Sequence, residues 1–119
     1  MASIQEKVRG FYNSNPFPNY DLNTFQSKED LQAHAYPFAR ILDRSIPEDA
    51  SVIDIGTGTG ELAAFLSLRR KCVWGIDFSE TSINKALALK KKLNLRSVQF
   101  AHVDILDHHQ LSKIKKRFD

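Results

Sequence analysis

Cysteine is all but missing from this chain: Cys72 stands alone. A single thiol cannot close an intramolecular disulfide, which fits a reducing compartment. It also gives little help to a metal site, and His34, His102, His108 and His109 do not fall at zinc-ligand spacings, so no metal is expected. Long hydrophobic runs are lacking too. None approaches the roughly 20 residues that span a bilayer, and Met1 to Glu6 lack the basic-then-apolar pattern of an export signal. A cytoplasmic protein without a membrane partner is the expectation. Ser79, Thr81 and Ser82 have no base at triad-like spacing, so helix capping explains them better than nucleophilic catalysis. Internal repeats and low-complexity tracts are absent as well.

With 119 residues the chain makes one domain at most. A hydrophobic share of 42% against 26% charged residues places it among ordinary soluble globular proteins. The formal net charge of +3 comes from bases gathered in Arg69-Arg70-Lys71, Lys90-Lys91-Lys92 and Lys113 to Arg117. Each cluster falls near the expected C-terminal end of a helix, where cations suit the helix dipole. Solvated helix ends are the plain reading, and contact with nucleic-acid phosphates is the alternative.

Two regions differ in character. Residues 1–50 hold all four prolines and seven of the twelve aromatic residues. A helix is expected from Ile4 to Phe11 with Ser3 as its N-cap, then a break at Asn13 to Asn19. A second helical stretch runs from Lys28 to Asp43 behind Ser27, with Pro37 set to kink or split it. Residues 51–119 alternate apolar runs with amphipathic ones. Val52 to Ile55 reads as a buried strand, Glu61 to Leu68 as a helix, and Cys72 to Ile76 as a strand covered on both faces. Ser79 caps a helix whose apolar stripe is Ile83, Ala86, Leu87 and Leu93. Val98 to Val103 is the third strand, Leu106 to Lys116 a further helical stretch, and Phe118-Asp119 looks like the start of another strand. Strands alternating with helices imply a parallel sheet with right-handed crossovers.

Glycine is scarce, and three of the five glycines stand at alternate positions in Asp54-Ile55-Gly56-Thr57-Gly58-Thr59-Gly60. The order strand, glycine-rich turn, helix places bare backbone N–H groups at a positive helix end, and the glycines let a ligand touch the main chain. In open parallel sheets ligands bind beyond the C-terminal strand ends. Asp54 lies inside the end of the first strand, Asp77 closes the second and Asp104 the third. Asp77 is placed to accept from ribose hydroxyls, with Phe78 against a flat base. Asp104 is placed to accept from an exocyclic amine, with Val103 and Ile105 flanking the ring. Taken singly, Asp77 reads equally as a turn or helix-start acid, and Asp104 as a cap for the next helix. In order, the three describe a pocket for an adenosine-like ligand.

On these residues the chain resembles the class I S-adenosyl-L-methionine-dependent methyltransferases. Asp54 to Gly60 matches their acid-x-Gly-x-Gly-x-Gly signature. Trp74-Gly75-Ile76-Asp77-Phe78-Ser79 and Phe100-Ala101-His102-Val103-Asp104-Ile105 are similar to their second- and third-strand segments. The resemblance covers roughly residues 50–119 and implies a Rossmann-like α/β fold with strand order 3-2-1 and helices on both faces. Gly56, Thr57, Gly58 and Gly60 would then lie under the methionine part of the cofactor and Asp54 would orient it. Asp77 would hold the ribose and Asp104 the adenine, with Phe78 and Ile105 also among the cofactor-binding residues. Residues 1–50, with Asn15 to Tyr20, are similar to the helical cap that many members fold over the site. The family usually carries seven strands, and here the sequence stops where strand four should begin. Half of the family domain is therefore expected to be lacking, and the first strand would present an edge that favours self-association.

The resemblance implies that the cofactor carries the chemistry, so no catalytic side chain is assigned. Tyr12, Tyr20 and His34 are candidates to reach the methyl face, with packing and hydrogen bonding as their plainer roles. Two other readings stay open. One is a cofactor-binding module without activity of its own. The other is an NAD(P)-dependent oxidoreductase, since Gly58-x-Gly60-x-x-Ala63 satisfies the loose dinucleotide pattern. The methyl acceptor is not legible. A small molecule or RNA would serve, and the basic balance tilts toward an anionic one.

Overall fold

The computed structural model describes residues 3–14, 18–112, 114, 118 and 119, with Tyr12 described through its backbone only. Asn15, Pro16, Phe17, Lys113 and Lys115 to Arg117 lie outside the described residues. Helix α1 spans Ile4–Ser14, three residues beyond the expected end. It starts on a capping box. The Glu6 N–H donates to Ser3 Oγ at 3.1 Å, and Glu6 Oε2 accepts from the Ser3 N–H at 2.8 Å. After a 3-10 turn at Leu22–Thr24, the helical stretch expected over 28–43 is split in two at Pro37, as that proline leads one to expect. Helix α2 covers Lys28–Ala33, with Ser27 Oγ accepting from the Asp30 N–H. Helix α3 covers Pro37–Ser45, with the proline in its first turn. Proline lacks a donor and drives the residue before it out of the helical region; Tyr36 is accordingly extended, at φ −68° and ψ 157°.

Strand β1 (Ser51–Ile55), helix α4 (Glu61–Leu66), strand β2 (Cys72–Asp77), helix α5 (Glu80–Leu93), strand β3 (Val98–His102) and helix α6 (His108–Leu111) follow. The three strands form one parallel sheet in the order β1-β2-β3, with Ile53 beside Trp74 and Trp74 beside Gln99. This is the Rossmann-like arrangement that the alternation implies. Helices α4 and α5 pack on the sheet, α2 and α3 on α4, and α1 on α5. Val73 and Val98 of the sheet, Ala63, Ala64 and Phe65 of α4, and Ile83, Ala86 and Leu89 of α5 share a single core with Phe25 and Leu31 of the N-terminal region.

Several expectations need correction. β1 is only half-buried and Ile55 is exposed, because β2 lies along one edge alone. Leu87 is 41% exposed while Leu89 is fully buried, so the stripe of α5 runs through Leu89. Helix α6 is much shorter than Leu106 to Lys116 among the described residues, and Asp107 caps it, not Asp104. Phe118-Asp119 form no strand, yet Asp119 lies beside β1. Its N–H donates to the Ser51 carbonyl and its carboxylate accepts from the Ser51 N–H, both at 2.7 Å. Arg70 is no solvated helix-end base. Its side chain is fully buried, donating to Asp43 Oδ1 at 2.6 Å and to the carbonyls of Leu66, Asp43 and Ile46. Arg69 bridges Asp43 and Glu48 beside it.

Candidate ligand-binding site at the strand ends

The turn after β1 passes through three left-handed glycines, with φ of 76°, 59° and 82° at Gly56, Gly58 and Gly60. Four of its N–H groups are not bare. Those of Gly56 and Thr57 donate to the Ile76 carbonyl, that of Gly58 to Asp77 Oδ2, and that of Gly60 to the Thr57 carbonyl, at 2.8 to 3.0 Å. The turn therefore uses its own donors to lock onto β2. Among the described residues, unpaired donors belong instead to the first turn of α4, whose N-cap Gly60 supplies no side-chain cap. A Cβ at Gly60 would lie 2.6 Å from the Phe100 ring and 2.7 Å from Ala86 Cβ. Gly60 thus serves close packing of turn, β3 and α5. A Cβ at Gly56 would meet nothing within 4 Å, because that position borders open space.

Asp77 is buried and holds two elements at once: Oδ1 accepts from the Ser79 N–H and Oδ2 from the Gly58 N–H, each at 2.8 Å. A carboxylate oxygen has two lone pairs, so the capacity to accept from a ligand hydroxyl remains. Asp54 accepts from Thr57 Oγ1 at 2.9 Å. Burial pushes its carboxyl above the ordinary range; the Thr57 hydrogen bond opposes this and the nearby Asp77 charge adds to it. Asp104 stands two residues beyond β3. Its Oδ1 accepts from the Leu106 N–H at 2.9 Å, and its Oδ2 pairs with Arg9 of α1 at 3.2 Å.

Two cavities open around this turn. One, about 460 Å³ and mostly apolar, is lined by Gly56, Asp77, Phe78, Asp104 and Ile105, and by Ile4, Val8 and Arg9 of α1. The other, about 420 Å³, is lined by Asp54, Gly56, Thr57 and Glu61, and by Tyr36, Leu31 and Phe65. Both volumes suit a small-molecule ligand, and Gly56 lies on both. Of the residues singled out in the sequence, Gly58 and Gly60 line neither cavity; they build the turn from inside.

Tyr20 and His34 line neither cavity as well. The Tyr20 hydroxyl donates to the Thr59 carbonyl at 2.7 Å, and burial followed by the Glu61 charge raises its pKa well above the ordinary tyrosine value. His34 lies edge-on to Phe25 at 5.8 Å. The side chain of Tyr12 lies outside the described residues. Other wall residues went unread in the sequence, Glu61, Tyr36 and Arg9 among them. Glu61, whose carboxyl burial pushes up against the opposing influence of His34, follows Gly60 directly and was open to notice there. Tyr36 and Arg9 carry no local signal, since only the folding of α3 and α1 toward the turn brings them in.

A parallel sheet, a glycine turn after its first strand and acids at or just past successive strand ends define a Rossmann-like ligand-binding domain. A family model described as a methyltransferase domain matches residues 46–119, and the chain belongs to that family. Among solved structures it is similar to phosphoethanolamine N-methyltransferase 1 of Haemonchus contortus, in complex with phosphoethanolamine and S-adenosylhomocysteine. There the identity is 24% and the TM-score 0.57, over 82% of this chain and 20% of that one. Coclaurine N-methyltransferase, bound to N-methylheliamine and S-adenosylhomocysteine, is 24% identical with a TM-score of 0.56, over 67% and 24%. The tRNA (m1A58) methyltransferase TrmI of Aquifex aeolicus is 34% identical with a TM-score of 0.52, over 61% and 31%. The chain thus spans between a fifth and a third of the length of these three. The family match favours methyl transfer over the oxidoreductase alternative.

Proposed function

We propose that this chain binds S-adenosyl-L-methionine across the glycine turn and serves methyl transfer from it. The observation that carries the reading is the pair of cavities meeting at Gly56. The apolar one offers Phe78, Val103 and Ile105 for a purine, with Asp77 and Asp104 at its polar rim. The other offers Asp54 and Glu61 to the ammonium group of an amino acid. The family match and the S-adenosylhomocysteine in two of the similar structures support the same ligand. When bound, the cofactor supplies an electrophilic methyl group on a sulfonium. The residues of this chain bind it, orient it along the turn and exclude water from its apolar part. Residues 1–50 act as a cap in this reading, since α1, α2 and α3 supply the outer cavity walls. An anionic acceptor, which the net charge alone would favour, would meet Asp54 and Glu61 with no basic side chain among the residues lining that cavity.

Calorimetric titration with S-adenosylhomocysteine and with NAD tests this. Saturable binding of the first, abolished by Asp77→Ala, is expected. Binding of NAD alone would overturn it. A radiolabelled methyl-transfer assay with candidate acceptors then separates an active domain from a module that only holds the cofactor.

A further inference from the structure

Helix α1 lies outside the stretch matched by the family model, yet it forms one side of the apolar cavity. Ile4, Val8 and Arg9 line that cavity opposite Phe78 and Ile105. The apolar face of the helix is not spent on the core: Ile4 is 80% exposed and Val8 42%. Its C-terminal end is anchored beside the site, where Asn13 Oδ1 accepts from Ser79 Oγ at 2.7 Å. Its middle is anchored by Arg9 on Asp104, across 95 positions of sequence.

We propose that Arg9 is a cofactor-positioning residue: it fixes the Asp104 carboxylate toward the exocyclic amine of the purine, while Ile4 and Val8 cover the ring. This rests on the cofactor reading above and assigns to it a wall from α1, outside the stretch the family model matches. A carboxylate held in place accepts from the 6-amino group of adenine and repels the 6-oxo group of hypoxanthine. Arg9 therefore acts on purine choice as well as on affinity.

The test is calorimetric titration of the 119-residue chain and of Arg9→Gln and Arg9→Lys with S-adenosylhomocysteine and S-inosylhomocysteine, with hydrogen exchange of α1 followed alongside. Arg9→Gln is expected to weaken S-adenosylhomocysteine by about tenfold, the size of one charge-assisted hydrogen bond, and to shrink the preference over the inosine ligand. Arg9→Lys should recover part of both, because it keeps the charge. Exchange in α1 should slow when the adenosine ligand binds. Wild-type affinity and wild-type preference in Arg9→Gln, or exchange in α1 indifferent to ligand, would overturn the proposal while leaving the cofactor reading in place. Failure of the unaltered chain to bind S-adenosylhomocysteine would overturn both.

Discussion

Gly56 and Gly60 have the same left-handed backbone and opposite surroundings, so one substitution separates their roles. Alanine at either pays for a positive φ, about 1–2 kcal/mol. At Gly60 the added methyl also meets the Phe100 ring and Ala86, and overpacking adds about 1–3 kcal/mol. Gly60→Ala should therefore lower the urea midpoint much more than Gly56→Ala. Gly56→Ala should keep most of the stability and lose ligand, because its methyl projects toward the space both cavities share. Equal midpoints for the two variants would refute this division. Asp54 makes a pH prediction. Burial holds its folded-state pKa above the ordinary 3.8. Ionising it therefore costs stability as pH rises from the unfolded value through the raised one, and the cost persists above that window. Asp54→Asn keeps an acceptor for Thr57 and removes the charge. Its thermal midpoint should exceed wild type at pH 7 and match it near pH 3, while S-adenosylhomocysteine binding weakens. A midpoint below wild type at both pH values would contradict the assignment.

Helices α3 and α4 are joined by a charge taken out of water. Arg70 is fully buried, and Asp43 is its counter-ion. Burial by itself would push the Asp43 carboxyl up, but hydrogen bonds from Arg70 and then Arg69 outweigh it and hold the carboxyl below its usual range. Stability from this group is present above the unfolded carboxylate pKa and is lost as pH falls through the lowered folded value. Asp43→Asn leaves the guanidinium buried and unneutralised, a loss of about 3–5 kcal/mol for a broken buried pair. Denaturation in urea at pH 7 should show it, and the deficit should shrink in acid as the wild-type carboxylate is itself protonated. Several helix starts were legible one by one. Ser3, Ser27 and Ser79 announce helix starts, and Pro37 announces the split. Their caps act within three residues, which local sequence encodes. The burial of Arg70 was not legible, since a run of three bases reads as solvated until α3 packs against α4.

Taken whole, the sheet of the described residues has β1 at one edge and β3 at the other. β1 pairs with β2 along one side, and among the described residues the other side meets Asp119 at Ser51. Unpaired strand groups recruit further strands. We propose that the chain self-associates through this edge. Sedimentation should show the average mass rising with protein concentration, and a constant monomer mass up to high concentration would exclude it. No helix among the described residues is long and apolar enough to cross a membrane. The wall that α1 gives the apolar cavity is likewise a property of the whole molecule, since it joins the start of the chain to the end of β3.

Composition, apolar periodicity, capping residues and the glycine spacing were enough to determine a parallel α/β sheet and the turn at the end of its first strand. Each of these signals acts between near neighbours and survives in a short window of sequence. Tertiary structure alone decided what the turn's N–H groups do, which bases are buried, and which helices wall the cavities. Those outcomes depend on partners brought together across the chain: Gly58 with Asp77, 19 positions apart, Asp43 with Arg70, 27 apart, and Arg9 with Asp104, 95 apart. Those pairings form only once the fold has brought residues far apart in sequence within hydrogen-bonding reach.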